Sequence, residues 1–306
     1  MNNLFLYIMT VLIWGSTWIA INYQLGDVSL EASLCYRFGL AALVLLAYAR
    51  WKKISLKFNR KAHMQFALFG LTLFGCNYLF LYSAQQHINS ALTCIGFSLI
   101  MFFNIINASI WYKTKINARI YLGGAIGLIG IITLFWPEIN DTTLGGETLL
   151  GFSLCIVGTL FASTGNMLSI RNQKLNYSLV ASNTWGMAYG ALFMAILLLV
   201  QGKAFTFSFT TSYISSLIYL SVFGSVIAFG CYLTLLNNIG AHKASYSSIM
   251  FPAIAVIIST FVEDFNWSSY TVIGLLCILV GNLVVLSPAN KRTKSTIQPV
   301  ESACSS

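Results

Sequence analysis

Charge is scarce in this 306-residue chain: 8% of its residues are Asp, Glu, Lys or Arg, against about 25% in a soluble domain. With 57% hydrophobic residues and a mean hydropathy of +0.76, that scarcity excludes an ordinary soluble core. Only 8 residues are acidic, none lies in the middle of an apolar stretch, and the three histidines fall in loops or at loop edges. A buried relay of carboxylates and imidazoles is therefore not expected. There is no Walker loop, no HExxH and no nucleophile triad on a soluble scaffold, so the chain reads as a non-enzyme without a cofactor. No CxxC or metal-ligand spacing occurs. Cysteines 35, 76, 94, 155, 231 and 277 sit in apolar stretches and Cys304 in the tail, which leaves them as small packing residues. The net charge of +9 is spread over short loops without any nucleic-acid-binding motif, so no nucleic-acid partner is expected. Proline is also rare, 4 in all, and only Pro252 interrupts an apolar stretch.

What the chain does contain is ten apolar stretches: Leu4–Ile21, Glu31–Ala49, Met64–Ala84, Ser90–Trp111, Ile120–Trp136, Leu149–Ile170, Ser178–Val200, Tyr213–Leu236, Ala244–Val262 and Tyr270–Leu286. A hydrocarbon layer about 30 Å thick takes about 20 residues of helix, because every backbone polar group must be satisfied within the segment. The connecting loops sort by sign. Of the 17 Lys and Arg, all but Lys203 and Arg37 fall in alternate gaps, beginning with Arg50, Lys52 and Lys53, while the opposite gaps hold Asp27, Glu138, Asp141, Glu147 and Asp264. By the positive-inside rule both termini are cytoplasmic. The first stretch has no basic leader and no A-x-A site, so it is expected to stay as a helix. The polar end, 289–306, is expected to be a disordered cytoplasmic tail.

The stretches also repeat. Phe74-Gly75-Cys76-Asn77-Tyr78 leads to His87-Ile88-Asn89-Ser90-Ala91, and Phe229-Gly230-Cys231-Tyr232 leads to Gly240-Ala241-His242-Lys243-Ala244; Trp14-Gly15-Ser16-Thr17 resembles Phe161-Ala162-Ser163-Thr164, and Arg37-Phe38 has a counterpart in Thr184-Trp185. Five stretches per half is an odd number, so the halves enter the membrane from opposite faces. The expected fold class is an all-α polytopic membrane protein, ten transmembrane helices as two inverted five-helix repeats, with repeats over 1–140 and 141–288. Inverted repeats place a site at their interface near the midplane and permit alternating access.

Taken together, Trp14-Gly15, Arg37-Phe38, the link from Tyr82 to Ala91, the segment from Gly230 to Ala244, Phe251-Pro252, Val262-Glu263, and Gly274 with Gly281 resemble the EamA-type family of the drug/metabolite transporter superfamily. The resemblance runs from Leu4 to Leu286. It implies a five-plus-five bundle in the bacterial inner (cytoplasmic) membrane that moves small metabolites, often amino acids, with export the commoner role. Two departures from the family pattern stand out: the proline of the fourth stretch is replaced near Leu99, and the glutamate at its end by Trp111-Tyr112.

Arg37 is the one clear ion within a stretch. A guanidinium in hydrocarbon either serves a ligand, since its fork matches a carboxylate, or, about 9 Å from the helix end, snorkels or pairs with helix-end carbonyls and Glu31. Neutral candidates for substrate binding are Trp14, Thr17, Trp18, Asn77, Tyr78, Tyr82, Ser98, Asn104, Ser163, Asn166, Tyr232, Tyr246 and Ser247, any of which also serves as an ordinary interhelical contact. Pro252 and Glu263 are candidate gating residues. Gly123, Gly127 and Gly130 allow close helix contact, within the bundle or between protomers. The expected function is transport of a small organic metabolite, an amino acid or related amphipathic zwitterion, by a facilitator or exchanger embedded in the lipid bilayer as a monomer or weak homodimer. The alternatives are a non-transporting membrane sensor or assembly protein and a lipid-carrier flippase.

Overall fold

The computed structural model describes residues 2–113, 118–140, 145–232, 234–235, 238, 246–263 and 267–286. They form ten helical rods: α1 (Asn3–Asn22), α2 (Leu30–Trp51), α3 (Arg60–Ala84), α4 (Ser90–Tyr112), α5 (Ala118–Asn140), α6 (Gly145–Lys174), α7 (Leu179–Val200), α8 (Thr211–Tyr232), α9 (Tyr246–Val262) and α10 (Ser269–Leu286). Among the described residues seven rods, α1 to α4 and α6 to α8, are long and apolar enough to cross a membrane; the others contain shorter apolar runs, Tyr121–Leu134, Met250–Val262 and Ser269–Gly281. The expected tail, 289–306, lies outside the described residues.

Polar residues start the rods. Asn59 Oδ1 accepts from Ala62 N at 2.9 Å, Asn89 Oδ1 from Leu92 N at 2.9 Å, and Ser178 Oγ from Ala181 N at 3.1 Å, each satisfying an amide that has no partner within its helix. Two rods are not plain α-helix. α3 passes through a π-helical turn at Gly70–Cys76 and α8 through one at Tyr219–Ile227. These turns bring Phe74-Gly75 into correspondence with Phe223-Gly224, a correction to the pairing with Phe229-Gly230 expected from sequence. Phe-Gly occurs twice in α8, and only backbone geometry separates the two copies. α4 is broken at Ser98-Leu99, where Ser98 Oγ bonds back to the Ile95 carbonyl at 2.6 Å, so a serine bends the rod at the place where no proline is available.

Packing follows one rule. α1 packs on α9 as α6 does on α4; α1 packs on α8 as α6 does on α3; α2 packs on α8 as α7 does on α3; and α2 with α7, α4 with α9 and α5 with α10 are self-corresponding pairs. Each of these contacts is carried into another, or into itself, by exchanging a rod with the one five places along. Direction follows from the residues that meet. Gly15 faces Ile254 and Asn22 meets Glu263, so α1 and α9 run parallel, whereas Gly130 faces Gly274 and Gly281 faces Gly123, so α5 and α10 run antiparallel. Odd-numbered rods run one way and even-numbered rods the other, and the second five therefore repeat the first five upside down. In the α5/α10 pair a Cβ on Gly130 would lie 2.7 Å from the Gly274 carbonyl oxygen, which places this small-residue contact inside the bundle.

Candidate functional site

Where the two sets of rods meet, a cavity of about 80 Å³ opens between α1, α2, α3, α4, α6, α8 and α9. Of the residues proposed from sequence, Trp14, Thr17, Trp18, Arg37, Asn77, Tyr78, Asn104, Asn166 and Tyr232 line it, joined by Phe97, Phe229, Phe251 and a shell of aliphatic side chains. Tyr82 is fully buried behind the wall and reaches Arg37. Ser98, Ser163 and Ser247 do not line it: Ser98 bonds its own helix, Ser163 Oγ accepts from Asn107 Nδ2 at 2.8 Å, and Ser247 is buried in α9. Ser98 turns back on its own helix and Ser163 meets a neighbouring rod, which helical spacing alone does not reveal. The side chain of Tyr246 lies outside the described residues.

Arg37 is 1% exposed. Its Nε donates to Ser225 Oγ at 3.2 Å and its Nη1 to Tyr82 Oη at 3.0 Å, while the guanidinium carbon sits 4.6 Å from the Tyr78 ring centre and 5.2 Å from that of Phe38. The π-turn of α8 sets this geometry: Ser225 gives its own proton to the Leu220 carbonyl five residues back, at 2.9 Å, which leaves its oxygen free to accept from the guanidinium. Gly224 makes room, since a Cβ there would lie 2.9 Å from Thr17 Cγ2 and 3.4 Å from Arg37 Nη2. Trp14 Nε1 donates to the Gly224 carbonyl at 3.1 Å. The expected alternative of an Arg37 pair with Glu31 is not realised, because Glu31 takes Lys203 Nζ at 2.9 Å. Among the described residues Arg37 makes no ion pair with a carboxylate.

Aromatic rings occupy the space beside the cation. Trp14 lies 5.0 Å from Phe229, 5.0 Å from Tyr232 and 5.7 Å from Phe251, centre to centre, while Trp18 meets Phe97 at 5.2 Å. Further along α4 and α6 the wall becomes polar and neutral, where Asn166 Nδ2 donates to Asn104 Oδ1 at 3.2 Å. Asn77 Nδ2 bonds the Leu73 carbonyl at 3.1 Å, but its buried Oδ1 has no partner.

A clasp lies just beyond the cavity end marked by Ile21. The Glu263 carboxylate accepts from Asn22 Nδ2 of α1, from Ser90 Oγ of α4 and from Ser259 Oγ of its own rod, joining three helices. Pro252 is buried beside the lining Phe251 and remains within continuous helix. Sequence reasoning missed Ser225, Gly224, Phe97, Phe229, Asn22 and Ser90. The usable signal for the first two was Phe223-Gly224-Ser225 echoing Phe74-Gly75-Cys76.

Apolar rods around a cavity with a cationic and aromatic wall define a multi-pass membrane protein. The profile of the EamA-like transporter family matches residues 1–136 and 149–287, and the chain belongs to that family. Among its relatives are the uncharacterized transporter YoaV of Bacillus subtilis, 24% identical over 90% of this chain and 93% of that one, and the uncharacterized inner membrane transporter YedA of Escherichia coli, 25% identical over 95% and 94%. An uncharacterized transporter of Clostridium kluyveri is 24% identical over 83% and 82%. A crystal structure of another protein, 14% identical, superposes with a TM-score of 0.68 over 92% of this chain and 96% of that one, a likeness of fold alone.

Proposed function

We propose that the chain exports a small amphipathic metabolite bearing a carboxylate, amino-acid-like compounds included, by alternating access across a bacterial inner membrane. The observation that carries the reading is Arg37: a buried cation in the wall of an aromatic cavity, without a carboxylate partner among the described residues. A guanidinium so placed suits a ligand carboxylate, and the rings suit the ligand's apolar body. On this reading all ten rods cross the membrane, both termini are cytoplasmic, and the repeats 1–140 and 141–288 rock against each other around the cavity. Glu263 acts as the latch of the outer gate and Pro252 shapes the rod that carries it. The sequence carries no ATP-binding motif and no mid-span carboxylate or imidazole for a proton relay, which favours a facilitator or exchanger.

Counterflow of a labelled amino-acid pool into proteoliposomes tests this directly. Flux is expected from the wild type, with a strong loss in Arg37→Ala and Tyr82→Ala. Flux untouched by both changes sinks the site, and no flux of any metabolite favours a sensor or assembly protein. For the topology, an impermeant thiol reagent is expected to reach a cysteine placed at Asn140 from outside and one placed at Lys53 only from inside.

A further inference from the structure

The cavity is electrically one-sided. Among the described residues Arg37 is the one charged residue lining it, and no Asp or Glu shares the wall. Nearby acids along the chain are engaged elsewhere, Glu31 with Lys203 and Glu263 in its clasp. Of the guanidinium's N–H groups, those on Nε and Nη1 that serve Ser225 and Tyr82 hold it in place, Tyr78 lies against it, and no carboxylate among the described residues takes its remaining edge. A ligand carboxylate neutralises this charge. A ligand ammonium meets no counter-charge in the wall, and burying an unpaired charge beside a like one is a strong element of discrimination.

The far end of the cavity is different in kind. Asn104 lies two turns, about 10 Å, beyond Phe97 on α4. Its pair with Asn166 uses one donor and one acceptor, which leaves amide hydrogens and a carbonyl oxygen for a neutral polar group. Between the two poles stands the cluster of Trp14, Phe229, Tyr232 and Phe251. The unpartnered Oδ1 of Asn77, a residue only 3% exposed, accepts a hydrogen bond without contributing charge, so it tolerates an amino group but does not balance one.

We infer that the cavity selects monoanionic carboxylates with an aromatic or apolar body and a neutral hydroxyl or amide at the far end, binds zwitterions more weakly and excludes cations. This narrows the transport reading above and rests on it for its biological meaning. Three ligands with one phenol body separate the charge classes: desaminotyrosine as the anion, tyrosine as the zwitterion and tyramine as the cation.

Calorimetry on the purified full chain is expected to show desaminotyrosine binding at least about tenfold tighter than tyrosine, and tyramine giving no heat of binding. Arg37→Gln brings the anion down to the level of tyrosine, while Arg37→Lys, which keeps the charge and loses the fork, retains the order of preference. The double variant Asn104→Ala, Asn166→Ala weakens desaminotyrosine and leaves hydrocinnamate, which lacks the hydroxyl, unchanged. Tyrosine binding as tightly as the anion, measurable tyramine binding, or no binding of any of the three overturns the inference. Failure of the transport reading looks different: desaminotyrosine binds with the expected order, yet proteoliposomes exchange none of it.

Discussion

Counted from their capping serines, Ser29 and Ser178, Arg37 on α2 corresponds to Gly186 on α7 and Tyr36 to Trp185, which corrects the pairing of Arg37-Phe38 with Thr184-Trp185 expected from sequence, and these corresponding stretches do opposite work. Arg37 faces the central cavity and is held there by the other half, through Ser225. Thr184 spends its hydroxyl on the Val180 carbonyl at 2.7 Å, and Trp185 reaches out to the Leu56 carbonyl at 3.1 Å. Both line a separate apolar groove between α2 and α7. The repeat thus supplies a symmetric frame, and a single charged substitution within it makes the cavity polar on one side. The two ends of the cavity teach the same lesson: α9 ends in Glu263, which gathers α1 and α4, whereas the corresponding end of α4 carries Tyr112, whose hydroxyl donates to the Met167 carbonyl at 2.9 Å. One end is clasped by a carboxylate and the other by neutral bonds.

The largest expected effect is on the site side of this contrast. Arg37→Met lowers carboxylate flux by about a hundredfold, the scale of losing one partner of a buried charged hydrogen bond, whereas Thr184→Ala leaves flux in proteoliposomes near wild type. Equal losses in the two variants would mean that the halves contribute alike. Next, Glu263→Gln keeps the shape of the clasp but weakens its bonds to Asn22, Ser90 and Ser259, and labelling of a cysteine placed at Thr17 by an impermeant reagent from outside rises about tenfold. Gly224→Val drives methyl groups toward Thr17 and Arg37 and costs about 2 kcal/mol, read as a lower midpoint of thermal unfolding in detergent. The smallest effect belongs to Trp185→Phe, which removes the bond to Leu56 and trims the ring packed on His63 and Tyr189, and costs about 1 kcal/mol with ligand binding unchanged.

Much of the frame was legible because it is written locally. The apolar runs matched the rods to within a few residues, and the odd number in each half anticipated the reversal that the Gly130/Gly274 and Asn22/Glu263 contacts display. The site was legible as a set of residue types and less so as a geometry. Trp14, Asn77 and Tyr232 were found by their polarity in apolar rods, but so were Ser98 and Ser163, which bond to a helix or a neighbour away from the cavity. Short hydroxyls satisfy themselves against any nearby backbone, so their presence in a rod carries little directional information.

Membership of the membrane class and the division into ten rods follow from the sequence by itself, because span length and the absence of charge are properties of consecutive residues. Only the tertiary structure decided what Arg37 does. Its partners Tyr82 and Ser225 come from α3 and α8, two rods distant in the chain, and the π-turn that aims Ser225 is a backbone shift for which no residue type is diagnostic. The pole opposite, Asn104 with Asn166, likewise joins α4 to α6 across the two halves. Charge content is set residue by residue; the position of a charge relative to its partners is set by how helices pack, and in this chain the surroundings of Arg37 rest on that second quantity.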